Sequence, residues 1–473
     1  MVAVQATVTG PLKTLLQDFH IQYRVVEKLT ETASHSVSII EHTKSHIQRV
    51  LRRVKKSEIE GDQYTAANEN FRAGVRVLQG LDHPNVTRLY EAYEDKKHFY
   101  MLYERVQGKT VLDYLSFSKS YTEQSIGSII SQVLAGLSYC HAHNVLHKNL
   151  YIQNLLLLKR QTDLQVKIIG LESQGSFSTA QKVSMSQAFA PYAAPEMFNQ
   201  VYTEKGDVWS CGVIMYLLLS GGLPFPGKTK VDHRAAIMTQ ELAFPREKWL
   251  DVSNAAKNLI SAMLAKDPED RPTALQCLES PWVASNSVVV SLEVAEIPLG
   301  RLQSFNGNMQ VKETILAFVS KHLQGAGDVA QVEEVFRNLD TNKDGRLSSA
   351  ELIAGYSQII GEANAVEIVR TVMRAVDLDN SGFVDFSEFL FAASDPLYML
   401  STGNLRELFN LFDHDHDGTI SLNEFEHTLG LSKASRSVWK EMIAQADVSG
   451  DGKLTLAEFS GLLQIATGSE VKK

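Results

Sequence analysis

Residues 145–158 read VLHKNLYIQNLLLL, and the placing of their polar groups decides what the middle of the chain is. His147, Leu150 and Asn154 stand at a fixed spacing, and between them lies Asn149, an amide that takes up no proton at neutral pH. The stretch sits in a region, about 120–283, that is mostly helical in pattern. Upstream, residues 23 to about 54 are strand-like and 66–80 read as a helix closed by Gly80. LDHPNV (81–86) is a turn around Pro84, and strands are expected at 87–92 and 98–104. A leader over 1–22 carries Leu12, Leu15, Leu16 and Phe19 at helical spacing, which predicts a short amphipathic helix docked on the body.

The chain has 473 residues, 44% apolar and 21% charged, an ordinary globular composition with length for about two to four domains. Residues 324–473 hold 12 Lys and Arg against 24 Asp and Glu, a net of −12, while residues 1–323 hold 34 against 31, a net of +3. An acidic module on a near-neutral body points to bound cations or a basic partner, and no basic patch marks a nucleic-acid interface. Cys140, Cys211 and Cys277 lie far apart in apolar sequence, as buried reduced thiols of a cytosolic protein do. MVAVQATVTG lacks a signal-peptide pattern, Val2 excludes N-myristoylation, and the longest apolar run, VIMYLLL (213–219), is far shorter than the ~20 residues that cross a bilayer. The expectation is a cytoplasmic protein without a transmembrane segment, recruited to membrane or cytoskeleton only through a partner.

Four segments repeat near the C-terminus: DTNKDGRLSSAE (340–351), DLDNSGFVDFSE (377–388), DHDHDGTISLNE (413–424) and DVSGDGKLTLAE (447–458). Each has Asp first, Gly sixth and Glu twelfth, the spacing of an EF-hand calcium loop. Ca²⁺ takes six to eight oxygens, so side chains at positions 1, 3 and 5 point inward, position 7 gives its backbone carbonyl, and Glu at 12 gives two oxygens. In order, positions 1, 3, 5, 7 and 12 are Asp340, Asn342, Asp344, Arg346 and Glu351; Asp377, Asp379, Ser381, Phe383 and Glu388; Asp413, Asp415, Asp417, Thr419 and Glu424; and Asp447, Ser449, Asp451, Lys453 and Glu458. Position 8 is apolar in all four loops (Leu347, Val384, Ile420, Leu454), as pairing of loops through a short strand requires. Apolar stripes enter the first loop (Val332, Val335, Phe336, Leu339) and the third (Leu405, Leu408, Phe409, Phe412). Up to four Ca²⁺ are expected.

With scaffold motifs LDHPNV (81–86), HNVLHKNLYIQNLLL (143–157), APE (194–196), DVWSCGVIMYLLLSGGLPF (207–225) and DPEDRP (267–272), followed by four calcium loops, the chain resembles the calcium-dependent protein kinases of plants and protists over about residues 20–468. The resemblance implies an α+β fold: a leader (1–22), a bilobal kinase-like domain (23–283) with a small β-rich and a large helical lobe, junction helices (284–323), an all-α calmodulin-like domain (324–468) and a short tail (469–473). It also implies that Asp207 braces the catalytic loop and that Glu196 pairs with Arg271.

Against that family, the parts that handle nucleotide are changed. Thr30, Thr32 and His35 take the places of the phosphate-loop glycines, Arg52 that of the strand lysine, and Gly74 that of its helix glutamate partner. Asn149 stands for the catalytic Asp, Tyr151 for the lysine after it, and Gly170 for the metal-binding Asp, with Glu172 two residues on. Asn154 survives, and His147 reads as a satisfied core residue. These changes predict a pseudokinase: not an enzyme, with ATP and Mg²⁺ unexpected as ligands. Its role would be that of a calcium-responsive scaffold or allosteric adaptor. Two alternatives stay open: a calcium-regulated Ser/Thr kinase with an unconventional active site, using Arg52 and Glu172, and a calcium buffer. The expected partner is an unidentified protein bound in a Ca²⁺-dependent way, the junction helices of the same chain included. In that junction Leu302, Phe305, Met309, Val311, Ile315, Phe318 and Val319 form apolar faces, and the segment is expected to serve as a mechanical link. Residues 173–191, with six Ser or Thr in nineteen, are expected to form a mobile loop rather than a phosphorylation switch.

Overall fold

The computed structural model describes residues 13–14, 19, 23–32, 35–43, 46–56, 64–111, 113, 122–160, 163–171, 186–286, 292–304, 328–377, 381–394, 402–413, 417–429, 440, 443–444 and 446–467. Contacts divide the chain into two units, Met1–Thr43 with Gln48–Val288 and Lys44–Ile47 with Val289–Lys473.

The first unit begins with a sheet built from β1 (Lys13–Thr14), β2 (Tyr23–Glu31), β3 (His35–His42), β4 (Gln48–Lys55), β5 (Leu89–Glu94) and β6 (His98–Glu104), in the order β1-β5-β6-β4-β3-β2. A helix, α1 (Tyr64–Gly80), separates β4 from β5. Alternation along β4 sends Val50 and Val54 to the face that α1 covers, and α1 meets them with Phe71, Val75 and Leu78, spaced at i, i+4 and i+7. Phe71 stacks on Phe99 of β6 at 4.5 Å between ring centroids. The opposite face carries Ile40, Leu51 and Leu102, closed by Phe19 against Tyr23 and Tyr93.

Lys13 and Thr14 of the leader pair in parallel with Tyr93 and Glu94 as a short strand. Phe19, the described residue of the expected apolar stripe, is helical and buried against the sheet. Leu12, Leu15 and Leu16 lie outside the described residues.

The helical lobe of the same unit comprises β7 (Lys109–Thr110), α2 (Glu123–Ala142), β8 (Leu155–Arg160), β9 (Asp163–Ile168), α3 (Glu204–Ser220), α4 (Lys230–Thr239), α5 (Arg246–Trp249), α6 (Asn254–Met263), α7 (Ala274–Leu278) and α8 (Pro281–Asn286). Thr122 caps α2 by accepting from the Ser125 N–H, and Gly221 ends α3 in the left-handed conformation. Around α2 and α3 lies a core in which Trp209, Trp249, Trp282 and Phe225 are fully buried. Cys140, Cys211 and Cys277 are buried free thiols. Among the described residues no helix is long and apolar enough to cross a membrane.

The second unit opens with α9 (Leu292–Ser304), followed by α10 (Asp328–Leu339), β10 (Arg346–Ser348), α11 (Ser349–Ile360), α12 (Glu362–Val376), β11 (Phe383–Asp385) and α13 (Phe386–Ala393). After these come α14 (Thr402–Phe412), β12 (Thr419–Ser421), α15 (Leu422–Leu429), β13 (Lys453–Thr455) and α16 (Leu456–Thr467). Each of the two small sheets joins a pair of loops. Leu347 faces Val384 across β10 and β11, and Ile420 faces Leu454 across β12 and β13; all four are fully buried. Phe336 anchors the first pair against Phe386 and Phe389, and Phe412 the second against Phe425 and Phe459. Leu299 and Leu302 of α9 are buried in the core of the first pair, and the Tyr356 hydroxyl donates to the Leu299 carbonyl at 2.7 Å. Junction residues 287–291 and 305–323 lie outside the described set.

Candidate functional site

Each calcium loop is wound by its own carboxylates. In the first, Asp340 accepts from the N–H groups of Asp344 and Gly345, and Asp344 from that of Arg346. In the fourth, Asp447 accepts from Gly450, Asp451 and Gly452. Asp377 likewise accepts from Ser381 and Gly382, and Asp413 from Gly418. The sixth-position glycines Gly345, Gly382, Gly418 and Gly452 all have φ near +80°, a turn that a side chain would strain. The loop's last Glu does two jobs. Glu351 Oε1 reaches over the loop to the N–H groups of Thr341 and Asn342, while Oε2 caps α11 through Ser348. Glu458 repeats this with Val448, Ser449 and Thr455, and Glu388 and Glu424 cap α13 and α15. Asp379 and Asp415, the third positions of the middle loops, lie outside the described residues.

Burial, opposed by Lys343 and reinforced by Asp344 and Glu351, pushes the Asp340 carboxyl up to about 7. Crowded carboxylates of this kind are what a divalent cation relieves, and every donor present is oxygen, so the loops fit Ca²⁺. In the first and fourth loops Oε1 of the twelfth-position Glu is taken up by loop N–H groups, so giving that oxygen to an ion means turning from those partners. Two seventh-position side chains reach across to the paired loop: Arg346 lies over the Phe383 ring and Lys453 bonds Asp417 Oδ2 at 2.6 Å, while the Thr419 hydroxyl donates to Asp417 of its own loop.

The kinase-like cleft is held from behind. Asp207, fully buried near the start of α3, accepts from the backbone N–H groups of His147 and Lys148 at 2.8 Å each and lies 3.0 Å from His141 Nε2. Burial acts to raise its pKa, but bonding and charge from His141 and His147 win and hold it below the usual value. Lys148 is buried with left-handed backbone, and burial pulls its ammonium down against the opposing charge of Asp207. His147 is buried too; its Nδ1 accepts from the Asn149 N–H, leaving Nε2–H to donate to the Ile169 carbonyl at 3.0 Å. Arg271 makes a bidentate pair with Glu196 at 2.6 and 2.7 Å and also donates to the carbonyls of Ala265 and Lys205. Residue spacing had no signal for His141; it is found only once α2 and α3 are packed.

Of the nucleotide-handling positions, Arg52 is buried on the α1 face of β4, paired with Met101 of β6, and Gly74 lies buried on α1 with no side chain to answer it. Asn149 is half-buried, and its carbonyl accepts from the Asn154 amide at 2.9 Å. That amide fills the space beside Gly170: a Cβ on Gly170, whose φ is +86°, would come 2.8 Å from Asn154 Nδ2. For Mg²⁺ these residues fit poorly, since at the family's metal position the described set offers one amide and no carboxylate. Glu172 and the Ser/Thr-rich segment up to residue 185 lie outside the described residues.

Comparison with known proteins matches the protein kinase domain to residues 23–283 and the EF-hand domain pair to residues 329–394 and 402–464. Calcium-dependent protein kinase 4 of Plasmodium berghei is 32% identical over 404 residues, covering 82% of this chain and 76% of that protein. The Plasmodium falciparum protein of the same name is 32% identical over 410 residues, covering 84% and 78%. Calcium-dependent protein kinase 14 of Arabidopsis thaliana is 28% identical over 408 residues, covering 86% and 76%. These relatives are named as kinases, which overturns the expectation that the chain is not an enzyme. The expectation that ATP and Mg²⁺ are foreign to it loses its support with the same finding. The physical reason is that phosphoryl transfer rests on positioning and charge stabilisation by several groups, so replacing some of them does not establish its absence.

Proposed function

This chain belongs to the calcium-dependent protein kinase family, and from that premise we propose that it is a calcium-regulated Ser/Thr protein kinase with an unconventional active site. What carries the reading is a likeness that runs through both modules, kinase-like and EF-hand, in one stretch covering 82% of the chain. Arg52 supports it, a permanent cation buried on the strand that bears the phosphate-facing lysine in the family. Asn149 orients a substrate hydroxyl without taking its proton, in a loop fixed by Asp207. Calcium acts through the EF-hand module, for which the burial of Leu299 and Leu302 of α9 in the first pair is the support: a change in that pair reaches the junction directly.

The test is transfer of labelled phosphate to Ser/Thr peptides in Ca²⁺ and in chelator, for wild type and Arg52→Ala. Labelling that needs Ca²⁺ and Arg52 is expected. No labelling in any condition overturns the kinase reading. A second reading, a calcium-responsive scaffold, is favoured by the oxygen-donor sets kept in four loops beside the amide at Asn149. It predicts a protein captured from lysate in Ca²⁺ and released by chelator.

A further inference from the structure

The family's tie between cleft and helix, a strand lysine to a helix glutamate, has no counterpart between Arg52 and Gly74. Helix α1 is nevertheless fastened. Arg72, two residues before Gly74, donates from Nε to Glu94 Oε1 at 3.0 Å and from Nη2 to Glu94 Oε2 at 3.0 Å. Glu94 is the last residue of β5 and is buried. From its other side comes Lys56, just past β4, whose Nζ lies 2.6 Å from Glu94 Oε2 and which is itself buried. Phe99 floors the group: the Lys56 ammonium sits 4.6 Å above its ring and the Arg72 guanidinium 5.9 Å from it, with Phe71 stacked alongside. Burial alone would raise the Glu94 pKa, but the two cations hold it below its ordinary value.

We propose that Arg72, Glu94 and Lys56 form a clamp of reversed polarity, guanidinium on the helix and carboxylate on the sheet, which positions α1 independently of the cleft. The lost pair would have lain in the nucleotide site. The clamp lies four residues farther along the strand from Arg52, about 13 Å away. A phosphate held by Arg52 would not reach it at that separation, so the clamp predicts that the docking of α1 does not depend on nucleotide. A planar fork held bidentately and stacked over a ring sets an angle as well as a distance, which one lysine–carboxylate contact does not. The inference rests on the kinase reading only for its bearing on nucleotide; the fastening of α1 stands apart from it.

Hydrogen exchange on the full chain tests this. In wild type the amides of residues 71–80 should exchange at the same rate with and without ATP. In Arg72→Gln they should exchange about tenfold faster, the size expected from lost hydrogen bonds to charged groups, while those of residues 126–140 keep their protection. Arg72→Lys, which keeps the charge but not the fork, should fall between them and serves as the deciding variant if Arg72→Gln does not fold. A double-mutant cycle with Glu94→Gln should show that Arg72→Gln adds little once the carboxylate is gone. Unchanged exchange in both Arg72 variants, additive effects in the cycle, or protection of α1 in wild type only when ATP is bound would each overturn the clamp. Absence of phosphotransfer alongside the expected exchange pattern would sink the kinase reading and leave the clamp standing.

Discussion

Asp207 is a fully buried carboxylate with three donors pointed at it: two backbone N–H groups of the catalytic loop and the His141 ring. Its depressed pKa makes a pH statement with a definite sign. A carboxyl lowered on folding stabilises fully above its unfolded value, near 4, and ceases to as pH falls through the lower folded value. The melting temperature of Asp207→Asn should therefore lie well below wild type at neutral pH, and the gap should close as pH is lowered from about 6 towards 3. A constant gap would mean that shape, not charge, matters at this position. Asn149 invites the converse change. On the proposed kinase reading it stands at the position of the family's catalytic carboxylate, so Asn149→Asp should raise phosphotransfer by ~10²-fold, the lower end of what a positioned base contributes. Sequence alone located Asp207, Glu196, Arg271 and Asn149, because each stands within a fixed motif. The clamp residues were illegible: Arg72 and Lys56 sit among ordinary basic residues, and only the fold brings them to Glu94.

The calcium loops were legible as EF-hand loops, and the pairing of their eighth positions with them, since loop and helix cap share one short stretch of chain. What spacing did not reveal is that Glu351 already has an occupation. It closes a capping box with Ser348 at the start of α11 and bonds two loop N–H groups as well. Ion binding thus exchanges one set of partners for another. Replacing this residue should affect both: Glu351→Ala should lower the number of calcium ions in a titration from four to three, and weaken the α11 cap by about 1 kcal/mol in melts without calcium. Four ions still bound would show that the first loop does not need this carboxylate. In the leader, Phe19 is helical and buried on the sheet, in keeping with its spacing, while the pairing of Lys13 and Thr14 with β5 carried no signal in the sequence, because only the folded sheet brings that edge alongside.

At the scale of the whole molecule, the two modules and their order were readable because each carries motifs that no other fold needs. The reading of its chemistry was not secure, because it treated missing side chains as a missing reaction. Position-by-position alignment counts parts, while catalysis depends on how the remaining parts are held. Here the frame around the altered cleft is intact: the large lobe keeps its three buried tryptophans and the Glu196–Arg271 fork.

The two-residue strand at Lys13–Thr14 bears on how this protein is to be handled. It is the outermost rung beside β5, with Phe19 closing the aromatic face next to it. A shortened version starting at Tyr23 would bare both a ladder of amides and a greasy socket of Tyr23, Tyr93 and Ile40. Exposed rungs recruit other rungs, so that version should elute as dimers or larger species where the 473-residue chain runs as smaller particles, and dilution should separate them.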